Sequence, residues 1–146
     1  ASDVYKRQQK QYHVSAHPAD NVVAGFSLGG LQAFDVAFAH PARFSKVGVF
    51  SGSFWWRSKS TEDGYRDETD RIMHAHVRAA TAKPAVKFWL QTGTLDETED
   101  RNNNGVIDAI DDTLDLIKEL ETKGYRPPAD IRYVEVEGGH HNPDTW

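Results

Sequence analysis

Gly25-Phe26-Ser27-Leu28-Gly29, followed by Gly30, sets one hydroxyl between glycines in the spacing G-x-S-x-G. A serine attacks a carbonyl only when a base takes its proton and donors receive the charge that builds on the carbonyl oxygen. The pattern arises by chance in roughly one chain of this length in twenty, so its setting decides its meaning. Residues 21–26 (NVVAGF) form a short apolar run of strand type. From 28 to 39 the apolar residues Leu28, Leu31, Phe34, Ala37 and Phe38 recur at helix spacing until His40-Pro41. At a sharp strand-to-helix turn the serine sits in strained backbone, where bulky flanking residues would clash. Such a turn lifts the hydroxyl above the sheet's C-terminal edge and aims the Leu28 N–H, at a helix N-terminus, toward a developing oxyanion. A glycine-rich turn used only for close packing is the plainer alternative.

Nucleophilic catalysis also needs an imidazole and an acid to orient it. In the α/β-hydrolase fold these follow the serine in chain order, each on a loop after a later strand. Residues 86–91 (VKFWLQ) read as a strand followed by Gly93-Thr94-Leu95-Asp96, and 131–136 (IRYVEV) as one followed by Gly138-Gly139-His140-His141. Asp96 is placed to orient the imidazole, while a histidine takes the serine proton and returns it to the leaving alcohol. Histidine's ordinary pKa suits both transfers. The residue types alone do not separate His140 from His141, and Glu97, Glu99 and Asp100 rival Asp96. His74 and His76 stand two apart on a helical pattern and cannot share a face, which argues against a metal pair.

The elements that must position these groups alternate along the chain. Residues 46–50 (KVGVF) read as a buried strand ended by Ser51-Gly52, and 67–81 as a helix through Ile72, Ala75, Val77, Ala79 and Ala80. Residues 110–123 read as an amphipathic helix through Leu114, Ile117 and Leu120, ended by Gly124. This alternation without repeats predicts an α/β fold, a mostly parallel sheet with helices on both faces.

At 146 residues, 38% apolar and 27% charged, the chain supports one globular core. Seventeen Lys and Arg against 22 Asp and Glu leave a net charge of -5, and no basic cluster tracks a phosphate backbone, so nucleic acid is not expected as a partner. No apolar run approaches the ~20 residues of a membrane-spanning helix. The lack of cysteine excludes disulfides and thiolate metal sites and leaves the compartment open. Residues 1–9 are set apart as a non-native end, because Asp3-Val4-Tyr5-Lys6-Arg7-Gln8 looks like translated adapter sequence. A start at Ala1 without Met and a stop at Trp146 suggest that both ends are cut.

Four segments together resemble a known family: VVAGFSLGGLQAF at 22–34, HPARFSKVGVFSGSFWW at 40–56, GTLDE at 93–97 and GGHHNPDTW at 138–146. It is the esterase family that contains esterase D, enterochelin esterases and the feruloyl esterases attached to xylanases, and the likeness covers about residues 21–146. The resemblance implies Ser27 as nucleophile and Asp96 as acid. The family's histidine lies two residues after a Gly-Gly pair and about five before a Trp, which implies His141 as base, with Trp146 completing the pattern. It implies further that residues 10–146 are the C-terminal half of a single α/β-hydrolase domain, with the second oxyanion donor upstream and little activity in this chain alone. Phe26, Trp55, Trp56 and His140 are the expected substrate-binding residues, the tryptophans by stacking on a sugar or aryl group; core packing of the tryptophans and a structural place for His140 are the alternatives. The implied reaction is carboxylic ester hydrolysis through an acyl-enzyme, on acyl or feruloyl groups attached to carbohydrate. Siderophore lactones and small thioesters are other substrates the family allows, and an extracytoplasmic location is favoured.

After Asp96 comes an acidic insertion. Residues 100–111 (DRNNNGVIDAID) fit the twelve-residue calcium loop of EF-hands and dockerins, with oxygen side chains at loop positions 1, 3, 5, 9 and 12, glycine at 6 and an apolar residue at 8. The expected ligands are Asp100, Asn102, Asn104, the Val106 carbonyl, Asp108 and Asp111. Seven carboxylates between 96 and 112 face one cation, Arg101, so a structural calcium would relieve their repulsion and fix the loop that carries Asp96. A solvated acidic loop is the alternative. Two further classes stand beside the esterase: a hydrolase-fold protein without activity, and a calcium-dependent dockerin-like binding module. Against the latter, dockerins carry two loop–helix copies and this chain has one. No organic cofactor is expected.

Overall fold

A computed structural model describes residues 6, 7 and 10–146; residues 1–5, 8 and 9, most of the segment set apart as non-native, lie outside the described residues. Strands and helices alternate: β1 (Val22–Phe26), α1 (Leu28–Ala39), β2 (Lys46–Phe50), α2 (Asp67–Asp70), α3 (Ile72–Ala79), β3 (Lys87–Leu95), α4 (Asp108–Thr122) and β4 (Ile131–His140). Every pairing is parallel, and spatial order follows chain order, β1-β2-β3-β4.

Side chains alternate between the two faces of a strand, and the register sorts them. Val23, Val47, Phe88 and Ile131 align across the sheet, with Val49 and Leu90 one step further on. On that face they meet Phe34, Ala37 and Phe38 of α1, Met73 and Val77 of α3, and Leu116, Ile117 and Leu120 of α4 in one buried cluster. Each such side chain contributes roughly 1.5–3 kcal/mol when fully buried, so the sheet is held chiefly by this one layer. Among the described residues no helix is long and apolar enough to cross a membrane.

Helices were expected on both faces, and α1, α3 and α4 all pack on one. Strands added in a single direction by crossovers of one hand carry every connecting helix to the same side, and the second face is reached only where strand order reverses. The other face presents Val22, Phe26 and Trp89, which are 56%, 47% and 41% exposed.

Two element boundaries also differ. The helix expected over 67–81 is divided at Arg71, whose backbone is extended; its side chain turns inward to Asp112 at 2.7 Å and Asp115 at 2.9 Å. β3 and β4 run on through glycines that looked like loop. A Cβ on Gly93 would stand 2.3 Å from Gly139 O, so the two glycines let the strands close together up to the edge bearing Asp96 and His141.

Candidate active site

Ser27 joins β1 to α1 with φ 54° and ψ −124°, a conformation that a non-glycine residue keeps only where its surroundings impose it. Those surroundings are backbone hydrogen bonds. Ser27 N donates to Phe50 O at 3.0 Å, while Ser27 O accepts from the N–H groups of Gly30, Leu31 and Ser53 at 3.0–3.1 Å. Gly25 is required because a Cβ there would lie 2.1 Å from Gly29 O. Leu28 opens α1, and its N–H has no partner within the helix, which suits it to receive an oxyanion.

The Asp96 side chain is 1% exposed. Its Oδ2 accepts from Gly93 N at 3.0 Å, and its Oδ1 accepts from Ser51 Oγ at 3.0 Å. The same Oδ1 faces His141 Nδ1 at 3.6 Å, longer than a direct hydrogen bond; contacts of this kind tighten when substrate binds. Ser51, itself at φ 48°, accepts from Trp146 Nε1 at 2.8 Å. The Trp146 ring stands edge-on to His141 with centroids 5.1 Å apart. Indole, hydroxyl, carboxylate and imidazole therefore form one chain of contacts. Ser51 carried no signal in the sequence beyond its place in a turn.

Ser27, Asp96 and His141 line one cleft of about 290 Å³, walled by Leu28, Trp55, Glu97 and Ala109. The Ser27 hydroxyl meets Ser53 Oγ at 3.3 Å, and among the described residues no direct hydrogen bond joins it to His141. Burial pushes the Glu97 carboxyl above its usual range, against the hydrogen bond from the Ala109 backbone. The remaining expected substrate contacts lie elsewhere. Trp56 sits against Trp55 with centroids 5.5 Å apart and is not in the cleft lining. Phe26 is on the uncovered sheet face, stacked on Trp146 at 5.0 Å. His140 ends β4, exposed, its N–H bonded to Thr145 Oγ1 at 2.9 Å.

In the 100–111 loop, Asn103 and Gly105 take left-handed φ values of 56° and 86°. The two carboxylate oxygens of Asp100 accept from Asn104 N at 3.1 Å and Gly105 N at 2.8 Å. Asn102 and Asn104 amides donate to Asp111 Oδ2 at 3.2 and 2.8 Å, and Val106 N donates to Asn104 Oδ1 at 2.8 Å. Four of the five expected side chains thus meet within the loop, with the amide nitrogens of Asn102 and Asn104 turned to Asp111 and their oxygens accepting from backbone N–H groups. Asp108 is turned away, accepting from Arg101 N at 2.9 Å and pairing with its guanidinium at 2.8 Å. Among the described residues no three His, Asp or Glu side chains gather to hold a metal, so an ion here would depend on the asparagine and Val106 oxygens.

Arg101 was expected to face the acidic segment alone, and Arg71 joins it. Their guanidiniums reach the buried Asp112 carboxylate at 2.6 and 2.7 Å, and Arg101 also reaches Asp67 at 3.0 Å. Burial opposes the charge on both arginines, and the hydrogen bonds and charge of Asp112, with Asp115 beside Arg71 and Asp108 beside Arg101, more than offset it. A signal was available in the sequence: Asp112 stands four and eight residues before Leu116 and Leu120, on the apolar stripe, where a carboxylate demands a cation.

The chain is similar to known proteins. The uncharacterized protein YbbA of Bacillus subtilis (strain 168) is 22% identical over 134 residues, 92% of this chain and 48% of that protein. The enterobactin esterase of Shigella flexneri, solved in the presence of 2,3-di-hydroxy-N-benzoyl-glycine, superposes with a TM-score of 0.73 at 22% identity, over 99% of this chain and 33% of that one. A ferulic acid esterase superposes with a TM-score of 0.70 at 16% identity, over 99% and 53% of the two chains. The chain thus spans about half the length of the curated relative and about a third of the enterobactin esterase, and the structural likeness establishes a shared α/β-hydrolase-type fold. Residues 4–146 match the family model described as "Putative esterase"; with the match running over nearly its whole length, the chain belongs to that esterase family.

Proposed function

We propose that this chain carries the nucleophile, base and acid of a carboxylic ester hydrolase, Ser27, His141 and Asp96, working through an acyl-enzyme. The observation that carries the reading is their convergence on one cleft, with His141 Nδ1 turned to Asp96 Oδ1 at 3.6 Å and Ser27 in the same lining. Asp96 on Nδ1 leaves Nε2 as the nitrogen that takes the serine proton. Ser27 Oγ bonds to the ester carbonyl carbon, the carbonyl pair moves onto oxygen, and the Leu28 N–H receives it. The imidazolium returns the proton to the departing alcohol, and water repeats the sequence on the acyl-enzyme. An enterobactin esterase and a ferulic acid esterase share the fold, and Trp55 gives the cleft a flat apolar wall suited to an aryl group. A feruloyl or similar acyl ester of a carbohydrate is therefore the substrate class assigned. A fluorophosphonate probe is expected to label Ser27, located by mass spectrometry, and to leave Ser27→Ala unlabelled. Equal labelling of the variant refutes the reading.

Calcium is assigned as a structural ion of the 100–111 loop, held by Asp100, Asn102, Asn104, the Val106 carbonyl and Asp111, with Asp108 left on Arg101. It would take the place on Asp111 that the N–H groups of the asparagine amides now hold. Calcium is expected to raise the melting midpoint of the chain and not that of Asp100→Ala; a midpoint indifferent to calcium and chelator refutes the assignment.

A further inference from the structure

Ser53 stands outside the triad, and its hydroxyl is the one that meets the nucleophile, Oγ to Oγ at 3.3 Å. The contact is built from the backbone. Ser53 N donates to Ser27 O at 3.1 Å, Ser53 O accepts from Trp56 N at 3.1 Å, and Ser27 N donates to Phe50 O at 3.0 Å. The peptide of Ser53 is therefore pinned to the peptide of Ser27, and the approach of the two hydroxyls follows from main-chain geometry. Ser53 is 3% exposed, so bulk water does not compete for it, and it lines the same cleft as Ser27 and His141.

The geometry points to Ser53 as a further catalytic residue, a hydroxyl donor to Ser27 Oγ whose hold strengthens as that oxygen gains negative charge. The assignment rests on the acyl-enzyme reading. When Ser53 donates, the proton of Ser27 is left free for His141, since a hydroxyl can accept one bond while donating another. As that proton passes to the imidazole, partial negative charge builds on Oγ, and it moves to the carbonyl oxygen as the bond from Oγ to carbon completes. A hydrogen bond to a charged acceptor is roughly twice as strong as one to a neutral oxygen, so the Ser53 contact favours the transition state over the resting enzyme. Deacylation brings the same charge back onto Oγ when the acyl bond breaks, so both half-reactions draw on the same donor.

The test is the second-order rate at which a fluorophosphonate labels Ser27, since that reaction forms one bond to Oγ, expels fluoride and needs no bound alcohol. Ser53→Ala is expected to slow labelling by about 10–100-fold, somewhat less than the loss of a principal oxyanion donor. Ser53→Thr, which keeps the hydroxyl, is expected to stay within about threefold of the parent. All rates are taken far below each variant's melting midpoint, so partial unfolding does not enter. Ser53→Ala labelled as fast as the parent, or Ser53→Thr as slow as Ser53→Ala, overturns the assignment and leaves the nucleophile standing. A parent chain that takes no label at Ser27 overturns the esterase reading and this one with it.

Discussion

Asp96 and Glu97 are neighbours in sequence with opposite surroundings. Asp96 receives hydrogen bonds from Ser51 and Gly93 and faces His141, whereas burial raises the Glu97 carboxyl and one of its oxygens has no partner. An acid that orients a triad must face the imidazole and be hydrogen-bonded, which on the proposed mechanism favours Asp96. On the proposed mechanism, Asp96→Asn is expected to lower kcat by about 10³–10⁴-fold, while Glu97→Gln is expected to stay within roughly tenfold of the parent, because it is Asp96 that the imidazole Nδ1 faces. Hydrolysis of an activated aryl ester by the two variants checks the order; equal losses would reassign the acid. Ser51 belongs to the same argument. Ser51→Ala removes one of the donors on Asp96 and the acceptor of Trp146 Nε1, and a loss of about tenfold in kcat with KM little changed is expected.

The elements are joined by a buried polar cluster between α3 and α4. His74 lies in it, its Nε2 2.7 Å from Asp112 O. Burial first, and the charge of Arg71 second, push His74 down from 6.5 to about 4. The unfolded chain then binds a proton below pH 6.5 that the folded chain refuses until about pH 4. Stability is intact above 6.5 and is lost progressively as pH falls between these values. At about 1.4 kcal/mol per pH unit, the loss reaches about 3 kcal/mol. His74→Gln, which keeps a donor for Asp112 O, is expected to flatten the fall in urea midpoint between pH 7 and pH 5. Removing the cluster's central charge should cost more: Asp112→Ala leaves two guanidiniums without their shared partner and is expected to destabilise by about 3–5 kcal/mol at neutral pH. Urea unfolding at pH 7 measures it.

At the scale of the molecule, the main apolar cluster of the described residues is on one side of the sheet. The opposite face exposes Val22, Phe26 and Trp89 among Lys46, Lys87 and Arg132, and exposed apolar side chains of this kind bind apolar dyes or other copies of the chain. This chain is expected to enhance the fluorescence of anilinonaphthalene sulfonate in its folded state and to self-associate at micromolar concentration. Trp89→Lys is expected to reduce both; sedimentation and dye titration of the folded variant check it.

The sequence by itself determined what depends on near neighbours. The 3.6-residue spacing marks α1 and α4, the apolar runs mark the four strands, and glycines around Ser27 mark a turn where a Cβ would strike the helix. The loops proposed to carry the acid and the base were legible for the same reason, as glycine punctuation at the ends of apolar runs. The tertiary structure alone decided how residues 26 to 95 positions apart meet: Ser53 on Ser27, Arg71 on Asp112, Ser51 on Asp96 and Trp146 on Ser51. It also put the helices on one face. Such contacts follow from strand order and register, which are set by the packing of the whole sheet and leave no periodic trace in the chain.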